Sequence, residues 1–501
     1  MKNGVLIFRI FAMLFLVLHN SFRISISFRN PIRLTASKLT TEQVEQMHRP
    51  SKKFKPNPYQ YHEEITIDIE NLTNEGVGLG RHNGWVVMVP LVIPGETVLV
   101  RVYKNNPNYS EADLVEVLKP SPDRVTPSCP YFTHCGGCQY QHINIQAQRK
   151  WKQKQVENLL ETIGQLKNLT VNEVVGTQDL FGYRTKLTPH YDTIKDTNNV
   201  KIGFQQRGTH NIVDIEDCMI GTPKIGEKYK EFRSKFFQDL SQLAPTEHLP
   251  PNRAPKKGAT LLFRECEEGV VTDPRQIVTQ KVENIFFRFK AGEFFQNNAF
   301  VLPLMVRHVL GKATGDGCTN LIDTYCGSGL FALCASNQFE QVYGIEVSEM
   351  AVRAAQDTAV HNKISNAQFI CGSAEAIFKK VDHLPAANTV VVIDPPRKGC
   401  DNVFLKQLAK FKPRKVVYVS CDPATQARDA QSIVAAGYVV VDTTPFDLFP
   451  QTRHIENVMT FLLPLEGGGT PGEVHVTAEA LSTLSALDPG PISEEKKGDS
   501  K

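Results

Sequence analysis

The chain has 501 residues, a formal net charge of +3 and a hydrophobic content of 41%. This length exceeds the usual size of one domain, so we expect more than one hydrophobic core. The nearly balanced charge does not mark the whole chain as a nucleic-acid binder, although a local basic surface is compatible with it. Its 11 cysteines are an odd number spread along the chain, which argues against a disulfide framework.

The N-terminal segment differs from the rest of the chain. From Met1 to Thr41 it contains no acidic residue, and a continuous apolar run from Phe11 to Leu18 precedes a stretch rich in arginine and serine. The run is shorter than the roughly 20 apolar residues that a transmembrane helix needs. This pattern is typical of organelle targeting, with a plastid as first choice and a mitochondrion as second. A secretory signal is one alternative, and an extension without a targeting role, leaving the protein in the cytoplasm, is another.

The stretch from Glu64 to Leu118 has the pattern of short β-strands. Ile65–Ile69 alternates apolar and polar residues, and apolar runs follow at Trp85–Val89 and Thr97–Val102, with glycine-rich turns between them. Several short strands in so few residues indicate a small barrel of the OB type, which commonly binds oligonucleotides. A small β-domain without a ligand is the alternative.

Three cysteines follow on a loop rich in proline and glycine, separated by five and then two residues, and a further cysteine comes later: Cys129, Cys135, Cys138 and Cys218. Glycines allow several thiolates to turn towards one centre, so the spacing indicates a metal site. Four thiolates suit both zinc and a 4Fe-4S cluster, and the spacing does not choose between them. His134 and His142 are alternative zinc ligands.

The region after the cysteines combines one helix with mixed strands. Ile145–Ile163 is predicted to form a basic amphipathic helix, whose charged face is solvated or lines an RNA groove. From Asn168 to Phe289 we expect mixed strands, with turns around Gly182 and over Gly203–Gly208. The proline-rich stretch Ser241–Lys257 indicates an exposed loop.

The last third alternates strands and helices, which predicts an α/β domain with a parallel sheet. A strand from Asn320 ends in a glycine turn at Gly327 and Gly329, and the next strand ends at Glu346. Glycines permit close approach of a ligand, and a carboxylate at the neighbouring strand end can accept both hydroxyls of a ribose. The turn lacks the full glycine pattern of nicotinamide binders, so S-adenosylmethionine (SAM) is the better candidate.

Two further strands end in residues that could take part in binding or catalysis. Thr389–Ile393 ends at Asp394 before two prolines, which could form a rigid lip over a cofactor. Val416–Val419 ends at Ser420, and Cys421 comes just before a predicted helix that begins near Pro423. A thiol at this edge of an α/β sheet lies where ligands bind, and a helix N-terminus favours its thiolate form. A buried structural cysteine is an equally good interpretation from position alone.

Taken together, the motifs between Ile65 and Pro464 resemble the RNA (uracil-5-)-methyltransferase family, in its iron–sulfur branch with a TRAM domain. The resemblance rests on ordered matches along the chain: Glu70–Gly78, the four cysteines, Phe295-Gln296, Asp323–Gly329, Asp394–Arg397, Ser420–Pro423 and His454–Asn457. It implies a Rossmann-like SAM-dependent α/β domain, an N-terminal OB-like TRAM barrel and a central mixed α+β domain with an iron–sulfur cluster.

The resemblance also implies the chemistry. Carbon 5 of uracil is a weak nucleophile. A thiolate that adds to carbon 6 would create an enolate, in which carbon 5 is nucleophilic enough to accept the SAM methyl group. Cys421 would be this nucleophile, and Glu456 the base that removes the carbon-5 proton. The matched cofactor-site positions are Gln296, Tyr325, Glu346, Ser373 and Asp394. Gln296 and Asp394 could instead contact the uracil.

One position departs from the family pattern. Leu330 stands where the family often has asparagine after the second glycine of the SAM turn, which puts one polar contact in doubt. The resemblance also favours a 4Fe-4S cluster over zinc at Cys129, Cys135, Cys138 and Cys218.

The expected partner is RNA with the target base turned out of its stack. Ribosomal RNA is favoured, and transfer RNA or a non-catalytic RNA-binding role are the alternatives. We expect a monomer without stable membrane association. The predicted division is a targeting segment over 1–50, the TRAM domain over 51–120, the cluster domain over 121–290, the catalytic domain over 291–465 and a disordered tail over 466–501.

Overall fold

A computed structural model describes residues 54–192, 200–241, 259–372 and 378–465, which belong almost entirely to one compact unit that begins at Pro56. The predicted targeting segment, most of the predicted loop Ser241–Lys257, Ser373 and the predicted C-terminal tail lie outside the described residues. Among the described residues, no helix has the length and apolar character that crossing a membrane requires.

The N-terminal part is the predicted small barrel, and this prediction is confirmed. Its strands close in the order β1-β2-β3-β5-β4, with β3 and β5 parallel and the other pairs antiparallel. Ile65, Ile67 and Ile69 point inward, because alternate residues of a strand share one face. The strands are β1 (Glu64–Leu72), β2 (Val77–His82), β3 (Trp85–Pro90), β4 (Thr97–Asn105) and β5 (Tyr109–Lys119).

The middle of the chain contains two helices and short antiparallel strands. One sheet has the order β10-β7-β8-β9, another β12-β11-β6, and β13 and β14 form a hairpin. The elements are α1 (Ile145–Thr162), β6 (Lys186–Leu187), β7 (His190–Tyr191), β8 (Ile202–Gln205), β9 (Ile212–Asp214), α2 (Pro223–Ser241), β10 (Ala259–Thr260), β11 (Phe263–Cys266), β12 (Gly269–Val271), β13 (Ile277–Val282) and β14 (Ile285–Lys290).

Three expectations for this region need correction. Residues 203–205 belong to β8, so the turn begins later than predicted. Helix α2 was missed, although the spacing of its buried Ile225 and Tyr229 is the i, i+4 signal of a helix. Helix α1 is confirmed, but its basic face is not simply solvated, because Lys152 is fully buried against Asp447.

The C-terminal part is a Rossmann-like sheet with helices on both faces, as predicted. The strand order is β17-β16-β15-β18-β19-β21-β20, parallel except where β21 runs antiparallel to its two neighbours. Its elements are α3 (Leu302–Ala313), β15 (Asn320–Thr324), α4 (Leu330–Ala335), β16 (Gln341–Glu346), α5 (Glu349–His361), β17 (Ala367–Cys371), β18 (Thr389–Ile393), α6 (Asn402–Phe411), β19 (Lys415–Ser420), α7 (Pro423–Ala435), β20 (Val439–Phe446) and β21 (Glu456–Leu462).

Strands β18 and β19 are the buried centre of this sheet. Every residue of both strands is buried, as the apolar runs within them, residues 390–393 and 416–419, predicted. Side chains of opposite faces belong to two separate cores, one with Val390 and Val417, the other with Val391 and Val416. The parallel strands therefore bring their carboxyl ends to one edge, where Asp394 and the Ser420-Cys421 segment lie.

Candidate active site

Cys421 and Glu456 meet at the carboxyl edge of the sheet. In the antiparallel pair β19–β21, Ser420 is opposite Asn457, so Cys421, which follows Ser420, lies beside Glu456, which precedes Asn457. Strand β18 lies parallel on the other side of β19, with Ile393 opposite Tyr418, and brings Asp394 to the same edge. The structure thus brings together the predicted nucleophile, the predicted base and one predicted cofactor residue, which lie far apart in sequence.

A buried amide pair fixes the two strand ends. The Gln426 Nε2 atom donates to the Tyr418 carbonyl at 2.8 Å and to the Asn457 carbonyl at 3.1 Å, while Asn457 Nδ2 donates to Gln426 Oε1 at 2.7 Å. Both amide side chains are fully buried. Because Gln426 belongs to α7, this helix connects the strand that ends just before Cys421 to the strand that begins at Glu456.

The state of the Cys421 thiol differs from the expectation. Burial raises the pKa of Cys421 to about 12, and the neighbouring Glu456 and Asp394 carboxyls act in the same direction, while Arg397 opposes them. The N-terminus of α7 does not provide the expected thiolate stabilisation, because Asp422 caps it. The Asp422 Oδ1 atom accepts from the backbone N–H groups of Ala424 at 3.1 Å and of Thr425 at 3.2 Å.

The two carboxyl groups of the site also favour their protonated forms. Burial raises the pKa of Asp394 from 3.8 to about 7. Burial raises the pKa of Glu456 well above its usual value, the Asp394 charge adds to this effect, and Arg397 opposes it. Glu456 is 3% exposed. The ligand-free site can therefore hold protons on Cys421 and Glu456 at neutral pH.

The glycine turn after β15 has the geometry of a nucleotide-binding loop. Tyr325, Gly327 and Gly329 all have positive φ angles, of 60°, 53° and 84°. A Cβ atom at Gly329 would lie 2.9 Å from the Phe369 ring, so both its conformation and its packing require glycine. This close packing allows α4 to begin directly behind the turn.

Glu346 is fixed at the end of β16 beside this turn. Its Oε2 atom accepts from the Gly327 N–H at 3.1 Å, and its Oε1 atom accepts from the Ser348 N–H at 2.9 Å. Each carboxylate oxygen keeps a lone pair for another donor, such as a hydroxyl. Tyr325 begins the turn, and its ring lies 5.5 Å from that of Phe404.

Gln296 lies in the segment between β14 and α3. It is 7% exposed, and the neighbouring Asn298 Nδ2 atom donates to the Leu448 carbonyl at 2.8 Å, which ties this segment to the loop that leads to Glu456. Leu330 is a buried residue at the start of α4. Whether a polar contact is lost there stays a prediction, and Ser373 lies outside the described residues.

The four predicted ligand cysteines border a single cavity of about 190 Å³. Burial raises the pKa of Cys138 to about 12 and that of Cys218 to about 11. Among the described residues, however, no three ligating side chains are arranged to hold a metal ion. The histidines considered as zinc ligands, His134 and His142, do not line this cavity.

Comparisons with known proteins identify the family. The model for the tRNA (uracil-5-)-methyltransferases matches residues 268–463, and the TRAM domain model matches residues 61–115. A Schizosaccharomyces pombe protein named tRNA (uracil(54)-C(5))-methyltransferase is 37% identical over 428 residues, which cover 80% of this chain and 79% of that protein. The chain belongs to the tRNA (uracil-5-)-methyltransferase family.

Other relatives agree with this membership. A tRNA (uracil(54)-C(5))-methyltransferase of Saccharomyces cerevisiae is 32% identical, and the match covers 80% of this chain and 74% of that protein. An uncharacterized RNA methyltransferase of Halalkalibacterium halodurans is 30% identical, and the match covers 80% of this chain and 97% of that protein. The crystal structure of Pyrococcus abyssi tRNA (uracil-54, C5)-methyltransferase with S-adenosyl-L-homocysteine superimposes with a TM-score of 0.61. It is 22% identical and covers 79% of this chain and 100% of that chain, which supports the fold.

The family membership confirms part of the expectations and leaves others open. The chain is a SAM-dependent RNA (uracil-5-)-methyltransferase with a TRAM domain. The expected preference for ribosomal RNA gains no support, because the named relatives act on transfer RNA. The comparisons do not bear out the iron–sulfur cluster.

Sequence reasoning missed the anchors of the loop that leads to Glu456 in this methyltransferase. Lys152 Nζ donates to Asp447 Oδ1 at 2.6 Å and to the Phe449 carbonyl at 3.2 Å. Gln148 and Gln451 exchange two hydrogen bonds, from Gln148 Nε2 to Gln451 Oε1 at 3.0 Å and from the Gln451 N–H to Gln148 Oε1 at 3.1 Å. A buried lysine in the charged stretch of α1 leaves no local signal, so only the packed structure reveals it.

Proposed function

We propose that this methyltransferase modifies carbon 5 of a uridine in transfer RNA, the uridine at position 54 being the first choice. The named relatives at 37% and 32% identity carry this substrate in their names, and each matches 80% of this chain. Transfer RNA therefore replaces ribosomal RNA as the favoured substrate.

The observation that carries the proposal is the meeting of Cys421 and Glu456 on neighbouring strands beside Asp394. The Cys421 sulfur forms a bond to carbon 6 of the uracil, and the π electrons move onto carbon 5 and oxygen 4. Bound SAM would supply the methyl group to carbon 5 and leave as S-adenosyl-L-homocysteine. Glu456 then takes the proton from carbon 5, the carbon 5–carbon 6 double bond returns, and Cys421 leaves as a thiolate.

The raised pKa values give each residue a defined task. Because its pKa is raised to about 12, Cys421 waits as a thiol, and when the uracil arrives it passes its proton to the ionised fraction of the neighbouring Asp394, whose pKa is about 7. Glu456 holds a proton in the ligand-free site, so it acts as the base only after it has lost this proton, which Arg397 favours. Once ionised, it is a stronger base than a carboxylate in water, because its pKa is raised. Arg397 counteracts the negative charge at both residues.

The remaining predicted residues are proposed to form the cofactor site. Glu346 would accept the ribose hydroxyls, because backbone N–H groups already fix both of its oxygens. Gln296, Tyr325, Ser373 and Asp394 would line the rest of the site. Gln296 and Asp394 could instead contact the uracil, and Asp394 lies at the sheet edge that carries Cys421 and Glu456.

We further propose a structural 4Fe-4S cluster at the cysteine cavity. The four cysteines border one cavity of about 190 Å³ and could supply the four thiolates of such a cluster. The resemblance to the iron–sulfur branch favours this cluster over zinc. Iron and acid-labile sulfide in anaerobically purified protein, lost in Cys138→Ser, would support the cluster. Zinc instead of iron would refute it.

Three further proposals rest on the sequence analysis. They are the division into TRAM, cluster and catalytic domains, the N-terminal targeting segment and the monomeric state. A fluorescent fusion of residues 1–50, compared with the chain lacking them, tests the localisation in a plastid, with the mitochondrion and the cytoplasm as the other outcomes.

The experiment that tests the function is nucleoside mass spectrometry of unmodified transfer RNA and ribosomal RNA after incubation with enzyme and SAM. We expect 5-methyluridine in transfer RNA with the wild type and none with Cys421→Ala. The Glu456→Gln variant should accumulate a covalent enzyme–RNA complex, because methylation precedes proton removal. Cys318→Ala is the matched control, since Cys318 precedes β15 at the opposite edge of the sheet. Methylation by Cys421→Ala would refute the mechanism.

A further inference from the structure

Two cavities of the described residues share two lining residues, Glu75 and Arg453. The smaller one, of about 180 Å³, is bordered by Cys421, Arg397 and His454. The larger one, of about 780 Å³, lies between the TRAM barrel and the middle of the chain. Glu75 and Arg453 therefore stand at the boundary between the open groove and the cavity at the reactive thiol, and we call this boundary the neck.

The larger groove carries aromatic and basic side chains of the kind found on single-strand binding surfaces, together with the carboxylates of Glu75 and Glu111. Tyr103, Tyr109 and Phe204 supply aromatic rings, and Arg207 supplies a positive charge. Proteins that bind single-stranded RNA combine such rings, on which bases stack, with basic side chains along the backbone. An RNA strand bound in this groove would have to pass Glu75 and Arg453 to reach Cys421.

The neck is closed by an ion pair between the barrel and the catalytic region. Arg453 Nη1 lies 2.6 Å from Glu75 Oε2, and the Glu75 side chain is 68% exposed while that of Arg453 is 27% exposed. Such exposed ion pairs contribute little to stability, typically up to about 1 kcal/mol. A phosphate group can therefore replace the Glu75 carboxylate at small cost, since it accepts two parallel hydrogen bonds from a guanidinium.

The backbone on both sides of the neck is held independently of this ion pair. The Arg453 N–H donates to Gln139 Oε1 at 3.2 Å, and Gln155 Nε2 donates to the Thr73 carbonyl at 2.7 Å. Gly76 has a φ of 72°, and a Cβ atom there would lie 2.8 Å from the Tyr140 ring and 3.5 Å from the Arg453 Cβ. The turn after β1 thus packs closely against the Arg453 segment, so that the two side chains can change partners without movement of the backbone.

We infer that Arg453 binds a phosphate of the RNA strand beside the flipped uridine, and that Glu75 holds Arg453 in place until the phosphate displaces it. This inference rests on the proposed function and assigns a positioning residue for its substrate. Glu75 acts as a competitor of the RNA, whereas Arg453 acts as a contact. The two partners of one ion pair therefore have opposite effects on RNA affinity.

The test compares Glu75→Gln and Arg453→Gln by the dissociation constant for fluorescently labelled unmodified transfer RNA, measured across salt concentrations. We expect Glu75→Gln to bind about two- to five-fold more tightly, the affinity equivalent of one exposed ion pair. Arg453→Gln should bind about ten-fold more weakly, with a smaller dependence on salt because one phosphate contact is lost. Arg453→Lys should recover part of the affinity.

The double variant and a matched control separate this inference from simpler explanations. Glu75→Gln should have no effect on affinity in the Arg453→Gln background, because its gain acts through Arg453. Glu64→Gln is the control, since Glu64 forms a similar exposed ion pair with Arg101 on the same barrel, at 2.6 Å, but borders neither cavity. It should leave the affinity unchanged.

The inference is overturned if both single variants weaken binding and lower the melting temperature together, which would mean that the pair only connects the barrel to the catalytic region. It is also overturned if Glu75→Gln tightens binding equally in the double variant, since simple repulsion of RNA would then explain the gain. These readouts are independent of catalysis. If the wild type binds RNA but forms no 5-methyluridine, the proposed function fails while the affinities still test the neck.

Discussion

The buried ion pair between Lys152 and Asp447 gives a quantitative prediction. Both side chains are 0% exposed, and Lys152 Nζ lies 2.6 Å from Asp447 Oδ1. Lys152→Met retains the length and the apolar stem of the side chain but removes its charge. The Asp447 carboxylate then stays buried in the loop that leads to Glu456, with Arg149 at 3.6 Å as its remaining basic neighbour.

Breaking a buried ion pair by removal of one partner costs about 3–5 kcal/mol, because the other charge stays buried without compensation. Arg149 offsets part of this loss, so we expect a decrease of about 3 kcal/mol in the free energy of unfolding for Lys152→Met. Burial lowers the pKa of Lys152, so in Asp447→Asn the lysine can lose its proton and limit the damage. The double variant should cost less than the sum of the two single variants.

Urea unfolding followed by intrinsic fluorescence measures these differences. Arg353→Met is the control, since the Arg353–Glu349 pair on α5 is 71% exposed on both sides, and its loss should cost less than about 0.5 kcal/mol. Equal small losses of unfolding free energy for Lys152→Met and Arg353→Met would refute the reasoning, because burial would then not decide how much an ion pair contributes to stability. Additive losses in the double variant would contradict the coupling.

Two further predictions concern the site. Gln426→Leu removes the amide that connects the Cys421 and Glu456 strand ends. In steady-state assays we therefore expect kcat to fall about ten-fold, with little change in the KM for SAM. A rise in the KM for SAM as large as the fall in kcat would contradict this prediction. Asp394 has a folded-state pKa of about 7 against an ordinary 3.8, so the stability that its protonated form contributes is fully present below about pH 4 and is lost as the pH rises through 7. Asp394→Asn should therefore flatten the fall in melting temperature between pH 5 and pH 8, and an unchanged slope would be evidence against the raised pKa.

Local sequence patterns predicted most of the strands and helices near the site. The apolar run Val416–Val419, with proline shortly after it, placed Cys421 at the end of a buried strand before any partner strand was known. The glycine turn at Gly327 and Gly329 and the acidic end of the next strand at Glu346 were equally readable. These features depend on neighbours within one element, and periodicity and turn chemistry report such neighbours directly.

The protonation state of the site could not be predicted from local sequence patterns. The position of Cys421 before a helix suggested a thiolate, yet the Asp422 side chain occupies the first N–H groups of that helix, and the carboxyls of Glu456 and Asp394 arrive from other strands. A pKa depends on everything that surrounds a group, including elements far away in sequence. Helix position alone therefore predicted the wrong direction.

The sequence by itself determined the family, the Rossmann-like and barrel architectures, and the residues that the chemistry needs. Only the tertiary structure decided which charges meet: Lys152 with Asp447 across 295 positions, and Glu75 with Arg453 at the neck of the groove. The physical reason is that secondary structure follows short-range periodicity, whereas ion pairs and cavities form where separately folded elements pack. A charged residue in a helix or a turn looks the same in the sequence whether packing exposes it or buries it.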